Sequence, residues 1–299
     1  MKKNVIIQVI AVILLTTLLL GACGNNKSEN TQGAGNSTDL AKEQKEMLHF
    51  VDARGNSYDI EIQPDWPKHE YEKNAFIKDG HKMIYENNTK YTYSLGVDVS
   101  KYQQDIDWKK VKAAGYDFAF VRIGYRGYGE SGKLCQDERA IAHIKGARAA
   151  GLNVGLYFFS QAVNEKEGRE EADFTLQILK DNGIGKEDIT LPIVFDPESI
   201  LDDEARTDNV TGEQFTRNTL EFAKVIKAAG YQPMIYCNLL WEAQMLDLGQ
   251  LSELPLWYAD YLDTPQTPYA FEYWQYSESA KVDGIPGEVD VNIRLKPKK

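Results

Sequence analysis

Across 299 residues the chain carries 34 Lys and Arg against 45 Asp and Glu, a net charge of -11. Nucleic-acid binding requires Lys and Arg clustered on one face or helix, and no such cluster is present, so that class of partner is excluded. The four histidines, His49, His69, His81 and His143, are scattered, and Cys135 and Cys237 form no C-x-x-C or Cys/His grouping. Metal chemistry therefore has no support, no cofactor is implied, and the two thiols are expected to stay separate.

The N-terminus has the form of a targeting segment. Lys2 and Lys3 precede an apolar run over residues 5–20, which ends in Leu20-Gly21-Ala22-Cys23. By length alone that run fits a short membrane span or a signal peptide. The cysteine behind two small residues resembles a bacterial lipoprotein signal, cleaved before Cys23 with a lipid added to its sulfur. A diacylglyceryl group supplies two acyl chains, enough for stable membrane attachment. The mature protein is thus expected outside the cytoplasm, anchored to the outer face of the cytoplasmic membrane. Residues 24–41 are mostly Asn, Gly, Ser, Thr and Lys, with almost nothing to bury, and are expected to form a flexible tether. The expected organisation is a signal peptide over 1–22, a lipidated cysteine and tether over 23–45, a small β-rich preface over 46–94 and a barrel domain over 95–299. A monomer is expected.

Residues 48–51 and 58–62 flank an Arg54-Gly-Asn-Ser57 turn, and residues 75–77 and 83–85 flank Lys78-Asp-Gly-His81, so two β-hairpins are expected. Two hairpins are marginal by themselves and need a surface to pack on. From Leu95 the pattern alternates strand and helix. Strands are expected at 95–98, 117–124, 153–159, 191–196 and 233–237, with helices near 105–115, 137–150, 165–180, 211–229 and 240–246. Strand-like stretches at 255–258, 272–276 and 289–292 follow, with no long helix between them. The phrases Val111-Lys-Ala-Ala-Gly115, Ala147-Arg-Ala-Ala-Gly151 and Ile226-Lys-Ala-Ala-Gly230 each close a helix before a strand. Repeated βα units imply an α/β fold with a parallel sheet, either a barrel or a doubly wound sheet, and eight strand candidates favour the barrel.

The stretch Val194-Phe-Asp-Pro-Glu198 ends an apolar run in two acids. In an extended chain residues i and i+2 point the same way, so Asp196 and Glu198 face one site. Two acids in one site push their pKa values apart, leaving a proton donor and a charged partner, as sugar-acetal cleavage needs. A strand cap or ion pair would also account for an isolated D-x-E. Asp98, Tyr125, Ser160, Asn238 and Asp260, however, fall at or just past other strand ends, the rim on which βα barrels build sites. Gly127-Tyr-Gly-Glu-Ser-Gly132 matches G-x-G-x-x-G, but the helix begins too late and Glu130 would repel a pyrophosphate, so a rim loop is expected there.

Gly96-Val-Asp-Val-Ser-Lys-Tyr-Gln103, Gly155-Leu-Tyr-Phe-Phe159, Val194-Phe-Asp-Pro-Glu198, Leu256-Trp-Tyr-Ala-Asp-Tyr261, Trp274-Gln-Tyr276 and Val289-Asp-Val-Asn292 together resemble the ordered signatures of glycoside hydrolase family 25, the muramidases typified by the Chalaropsis-type lysozymes. The resemblance begins near Leu95 and leaves the β preface unaccounted for. It implies an irregular TIM-like (β/α)5(β)3 barrel and metal-free hydrolysis of the β-1,4 bond between N-acetylmuramic acid and N-acetylglucosamine, with peptidoglycan glycan strands as partner. Asp98, Asp196, Glu198 and Asp290 match its acids. Glu198 is then expected as general acid, Asp196 as the ionised partner that orients a 2-acetamido group or stabilises positive charge, and Asp98 and Asp290 as positioning groups. Tyr125, Tyr157, Tyr236, Trp257, Trp274 and Tyr276 are candidates to line the glycan groove, with Gln275 as a polar lining residue; ordinary barrel core would also account for the two tryptophans. Asp260 and Pro197 depart from the family pattern, the first as an expected ion-pair member and the second as a stiffener of the acid pair. A catalytically weak wall-binding lipoprotein on the same barrel is the alternative.

Overall fold

A computed structural model of the chain describes residues 45–52, 55–201 and 203–298. The signal segment, Cys23 and the tether up to residue 44 lie outside the described residues. Both hairpins are present: β1 (Met47–Val51) pairs antiparallel with β2 (Ser57–Glu61), and β3 (Phe76–Asp79) with β4 (Lys82–Tyr85).

The remaining strands close an eight-stranded barrel. β5 (Tyr91–Val99) pairs in parallel with β6 (Phe118–Arg126), which also carries the short antiparallel edge strand β7 (Leu134–Gln136). Parallel pairing continues through β8 (Asn153–Ser160), β9 (Ile193–Pro197), β10 (Pro233–Asn238), β11 (Leu256–Ala259) and β12 (Tyr273–Ala280). The last strand, β13 (Val289–Pro297), runs antiparallel to both β12 and β5 and closes the ring. β5 begins ahead of the expected Leu95 because residues 91–94 pair with residues 294–297 of this closing strand.

Five helices follow the first five barrel strands: α1 (Trp108–Ala113), α2 (Ala140–Ala149), α3 (Glu165–Asp181), α4 (Gly212–Ala228) and α5 (Leu239–Gln244). Side chains of Asp107, Asn164, Thr211 and Asn238 cap α1, α3, α4 and α5 by accepting from free N–H groups in the first turn. The repeated Ala-Ala-Gly phrase ends α1, α2 and α4, and its glycines lie at φ 91°, 81° and 80°, the left-handed stop that a Cβ disfavours.

Alternation along the strands sorts side chains into two layers. Phe118, Phe120, Val194, Met234, Tyr236, Trp257 and Tyr273 fill the barrel interior, while Val97, Phe158, Phe195, Ile235, Tyr258 and Ile293 face outward into the surrounding core. Gly96 and Gly155 make this interior possible. A Cβ on either would fall 2.2–2.3 Å from the rings of Phe118 and Phe120, respectively.

Among the described residues no long helix follows α5 to cover the barrel, and the hairpins occupy part of that outer face. Phe76 meets Trp274 edge-on with ring centres 5.2 Å apart, Tyr71 donates to the carbonyl of Phe271 at 2.5 Å, and Tyr276 donates to the carbonyl of His81 at 3.2 Å. Gln266 clamps Val51 through both its backbone N–H and carbonyl, each at 3.1 Å.

Candidate active site

The C-terminal ends of the strands surround an open pocket of about 280 Å³ that holds Asp98, Asp196, Glu198 and Asp290. Asp98 and Asp290 are directly opposite each other in the β5–β13 ladder, and their carboxyl groups hydrogen-bond to one another, which requires a shared proton. Asp98 Oδ2 also accepts from Asn292 Nδ2 at 2.8 Å and Gln275 Nε2 at 3.0 Å. Those two amides are fixed in turn. Trp257 Nε1 donates to Asn292 Oδ1 at 2.7 Å, and the hydroxyl of Tyr261 donates to Gln275 Oε1 at 2.9 Å, with the Tyr236 hydroxyl oxygen 3.2 Å from the same atom. This network leaves Asp98 little freedom to turn. Burial, followed by the charge of Asp98, pushes Asp290 up to about 9.

Asp196 is the inward residue at the end of β9, two beyond the inward Val194, and Glu198 follows one residue past the strand. Pro197 pairs with Ser160 of β8 and ends the strand between the two acids. Burial pushes Glu198 up to about 7; a hydrogen bond from Tyr236 opposes this, and the charges of Asp98 and Glu278 reinforce it. Asp196 is 5% exposed, and its Oδ1 is buried with no protein partner. Burial and then the charges of Glu198 and Asp98 push Asp196 up, while Arg122 pulls it down. In the free site Asp196 is therefore driven towards the protonated form, against the expectation that it stays ionised.

Tyr157, Tyr236, Trp257 and Gln275 line the pocket. Trp274 and Tyr276 do not, because β12 turns Tyr273 and Gln275 inward and these two outward. Trp274 donates to the carbonyl of Asp260 at 2.7 Å and lies under Phe76. Tyr125 is likewise absent from the lining; its ring centre is 5.5 Å from the guanidinium carbon of Arg122. Asp260 takes neutral donors rather than an ion pair, accepting from Tyr258 at 2.8 Å and from the Gln266 N–H at 3.0 Å. Asn238 and Ser160 serve as local caps, accepting from the N–H groups of Trp241 and Ala162. Sequence reasoning missed Arg122, Tyr102, Tyr261, Glu278 and Asn292, although Asn292 lies two residues after Asp290 and the inward parity of Asp290 places it in the site.

A second cavity, of about 380 Å³, lies at the opposite ends of β10 and β11 beside Leu248, Leu251 and Phe271. The acids of its lining are Glu253 and Glu272.

The family model for glycosyl hydrolases family 25 matches residues 97–285. The chain belongs to that family. Lysozyme M1 of Streptomyces globisporus is 30% identical to this family 25 chain over 206 residues, 66% of each protein. A bacterial lysozyme structure from Streptomyces coelicolor superposes with a TM-score of 0.54 at 27% identity, covering 67% of this chain and 90% of that one. The modular autolysin LytC from Streptococcus pneumoniae shares the fold with a TM-score of 0.59 at 22% identity, covering 83% of this chain and 56% of its own. The family 25 chain thus spans just under two thirds of lysozyme M1 and little more than half of LytC.

Proposed function

We propose that this family 25 chain is an N-acetylmuramidase that hydrolyses the β-1,4 bond between N-acetylmuramic acid and N-acetylglucosamine in peptidoglycan. The supporting observation is the convergence of four carboxyl groups, Asp98, Asp196, Glu198 and Asp290, in one open pocket on the C-terminal rim of the barrel. Glu198, held at about 7, keeps its proton in mildly acidic conditions, and in about half of the molecules at neutrality, and donates it to the leaving glycosidic oxygen. The unpartnered Oδ1 of Asp196 accepts the N–H of the substrate's 2-acetamido group, and that arriving donor favours the charged carboxylate. So oriented, the acetamido oxygen attacks the anomeric carbon as the glycosidic bond breaks. Glu198, now a carboxylate, takes a proton from the water that opens the resulting ring. Asp98 and Asp290, sharing a proton, hold a negative charge near Glu198 that keeps its proton in place.

The test is release of new reducing ends from purified peptidoglycan. Wild type is expected to release them, and Glu198→Gln to lose about 10²–10⁴-fold in kcat, the usual contribution of a positioned proton donor. Equal rates in both would remove Glu198 from the chemistry. The pattern around Cys23 supports a lipid anchor that holds the enzyme outside the cytoplasmic membrane on the tether. The enzyme is read as a monomer, with residues 46–94 as a β-rich preface docked on the barrel. Radiolabelled fatty acid incorporated by the full chain and absent from Cys23→Ala is the expected sign of that anchor.

A further inference from the structure

Arg122 takes no part in the proton transfers at Glu198, yet it is the only cation among the described residues lining the acid pocket. It sits on the inward face of β6 opposite Tyr157 of β8, with its side chain 12% exposed. Its Nε donates to Asp137 Oδ2 at 2.9 Å. Asp137 is wholly buried and also accepts from the N–H groups of Lys101 and Arg139 at 3.1 and 3.0 Å. The rings of Tyr102 and Tyr125 both lie close to the guanidinium, with centres 5.2 and 5.5 Å from Cζ. Tyr102 is 70% exposed, but its backbone is fixed by a 3-10 turn, Lys101–Gln103, closed by a Ser100–Gln103 capping box. The turn ends in Gln104 at φ 54°, a left-handed position for a non-glycine residue.

An arginine that served only to neutralise Asp137 would place its two-nitrogen fork on the carboxylate. Here a single Nε bond anchors the group, and no described protein atom accepts from Nη1 or Nη2. The side chain is thus immobilised with its terminal edge unpaired at the pocket. A planar, always-charged fork in that state matches a carboxylate in geometry and charge. Of the nearby acids, Asp290 at about 9 keeps its proton at neutrality and Glu198 at about 7 keeps about half of its own, which limits the negative charge facing such a ligand.

We propose that the Nη edge of Arg122 binds a carboxylate carried by the muramyl residue of the substrate, making Arg122 a specificity-determining residue. This rests on the muramidase reading above. The carboxylate has two possible sources, the lactyl group of a peptide-free strand or the peptide attached to it, and both present the same chemistry to the fork.

The test compares kcat/KM, from new reducing ends, on four glycan preparations: peptide-free strands, the same strands with lactyl carboxyls reduced to alcohols, peptide-bearing strands, and peptide-bearing strands with their carboxylates amidated. Wild type is expected to prefer a carboxylate over its neutral counterpart by about tenfold or more, mostly through KM. The first pair of substrates reports the lactyl source and the second the peptide source. Arg122→Lys should keep part of the preference. Arg122→Gln with Asp137→Asn, which leaves no buried acid unpaired, should abolish it while melting as a folded protein. A wild type that ignores the carboxylate in both pairs overturns the proposal. So does a double variant that slows all four substrates by one factor, because Arg122 would then act only through the charge on Asp196. If no preparation yields reducing ends, the muramidase assignment fails and this inference fails with it.

Discussion

Glu198 is held between opposing neighbours, and each can be removed singly. Burial and the negative charge of Asp98 raise its pKa, and the Tyr236 hydroxyl lowers it. Activity that depends on its proton is therefore expected to fall as pH rises through about 7. Asp98→Asn should move that alkaline limb to lower pH, and Tyr236→Phe should move it to higher pH, as read from kcat/KM profiles; an unmoved limb in both would mean another group titrates. The Asp196–Glu198 pair was legible in the sequence because alternation fixes where residues i and i+2 point. Trp274 and Tyr276 were not, since a barrel strand is covered on both sides and both parities are apolar, so composition does not tell inward from outward. Arg122 was hidden for the same reason: inside Phe-Ala-Phe-Val-Arg-Ile it looks like a lone charge on a strand, and only barrel closure turns it into the pocket.

At the level of elements, the hairpins stand partly in place of helices. Phe76, 8% exposed, covers Trp274 on the outer face of β12. Phe76→Ala should cost about 3–5 kcal/mol, the usual figure for a buried phenylalanine, measured by urea unfolding, with activity per folded molecule unchanged. The loops of the rim depend on a second device. Arg126, buried on β6, donates to Glu171 Oε1 on α3 at 2.7 Å and to the carbonyl of Gly132 at 2.9 Å, while Arg206 grips Glu167 with both terminal nitrogens at 2.7 and 2.8 Å. Arg126→Met should destabilise by about 3–5 kcal/mol by leaving Glu171 unpaired, and adding Glu171→Met should restore much of it. Helix ends were readable from the Ala-Ala-Gly phrase because a left-handed stop selects glycine. β7 was not, because three residues at a sheet edge carry no period, and the start of β5 was set by a partner strand some 200 residues away in sequence.

For the whole molecule, buried carboxyls invert the usual response to acid. Burial raises Glu198 to about 7, Asp290 to about 9, and Glu242, enclosed in α5 with Thr267 donating to it, to about 8. In the unfolded chain such groups titrate near pH 4, roughly. Between that value and 9 the folded protein binds more protons than the unfolded one, so stability is fully present at the acid side and is lost as pH rises. The melting temperature should decline from about pH 5 to pH 9, and Asp290→Asn should flatten the upper part of that slope, as thermal melts across the range would show. The closing strand carries a further consequence. Asn292 meets Asp98 across 194 residues of sequence, so the two halves of the acid network are encoded near opposite ends of the domain. Contacts that distant form late and slowly. A chain stopped at Gly287 should have no activity, because Asp290 and Asn292 are missing and Asp98 loses its strand partner. An interrupted or clipped polypeptide is then expected to be inert, because the acid network is complete only when the ring shuts.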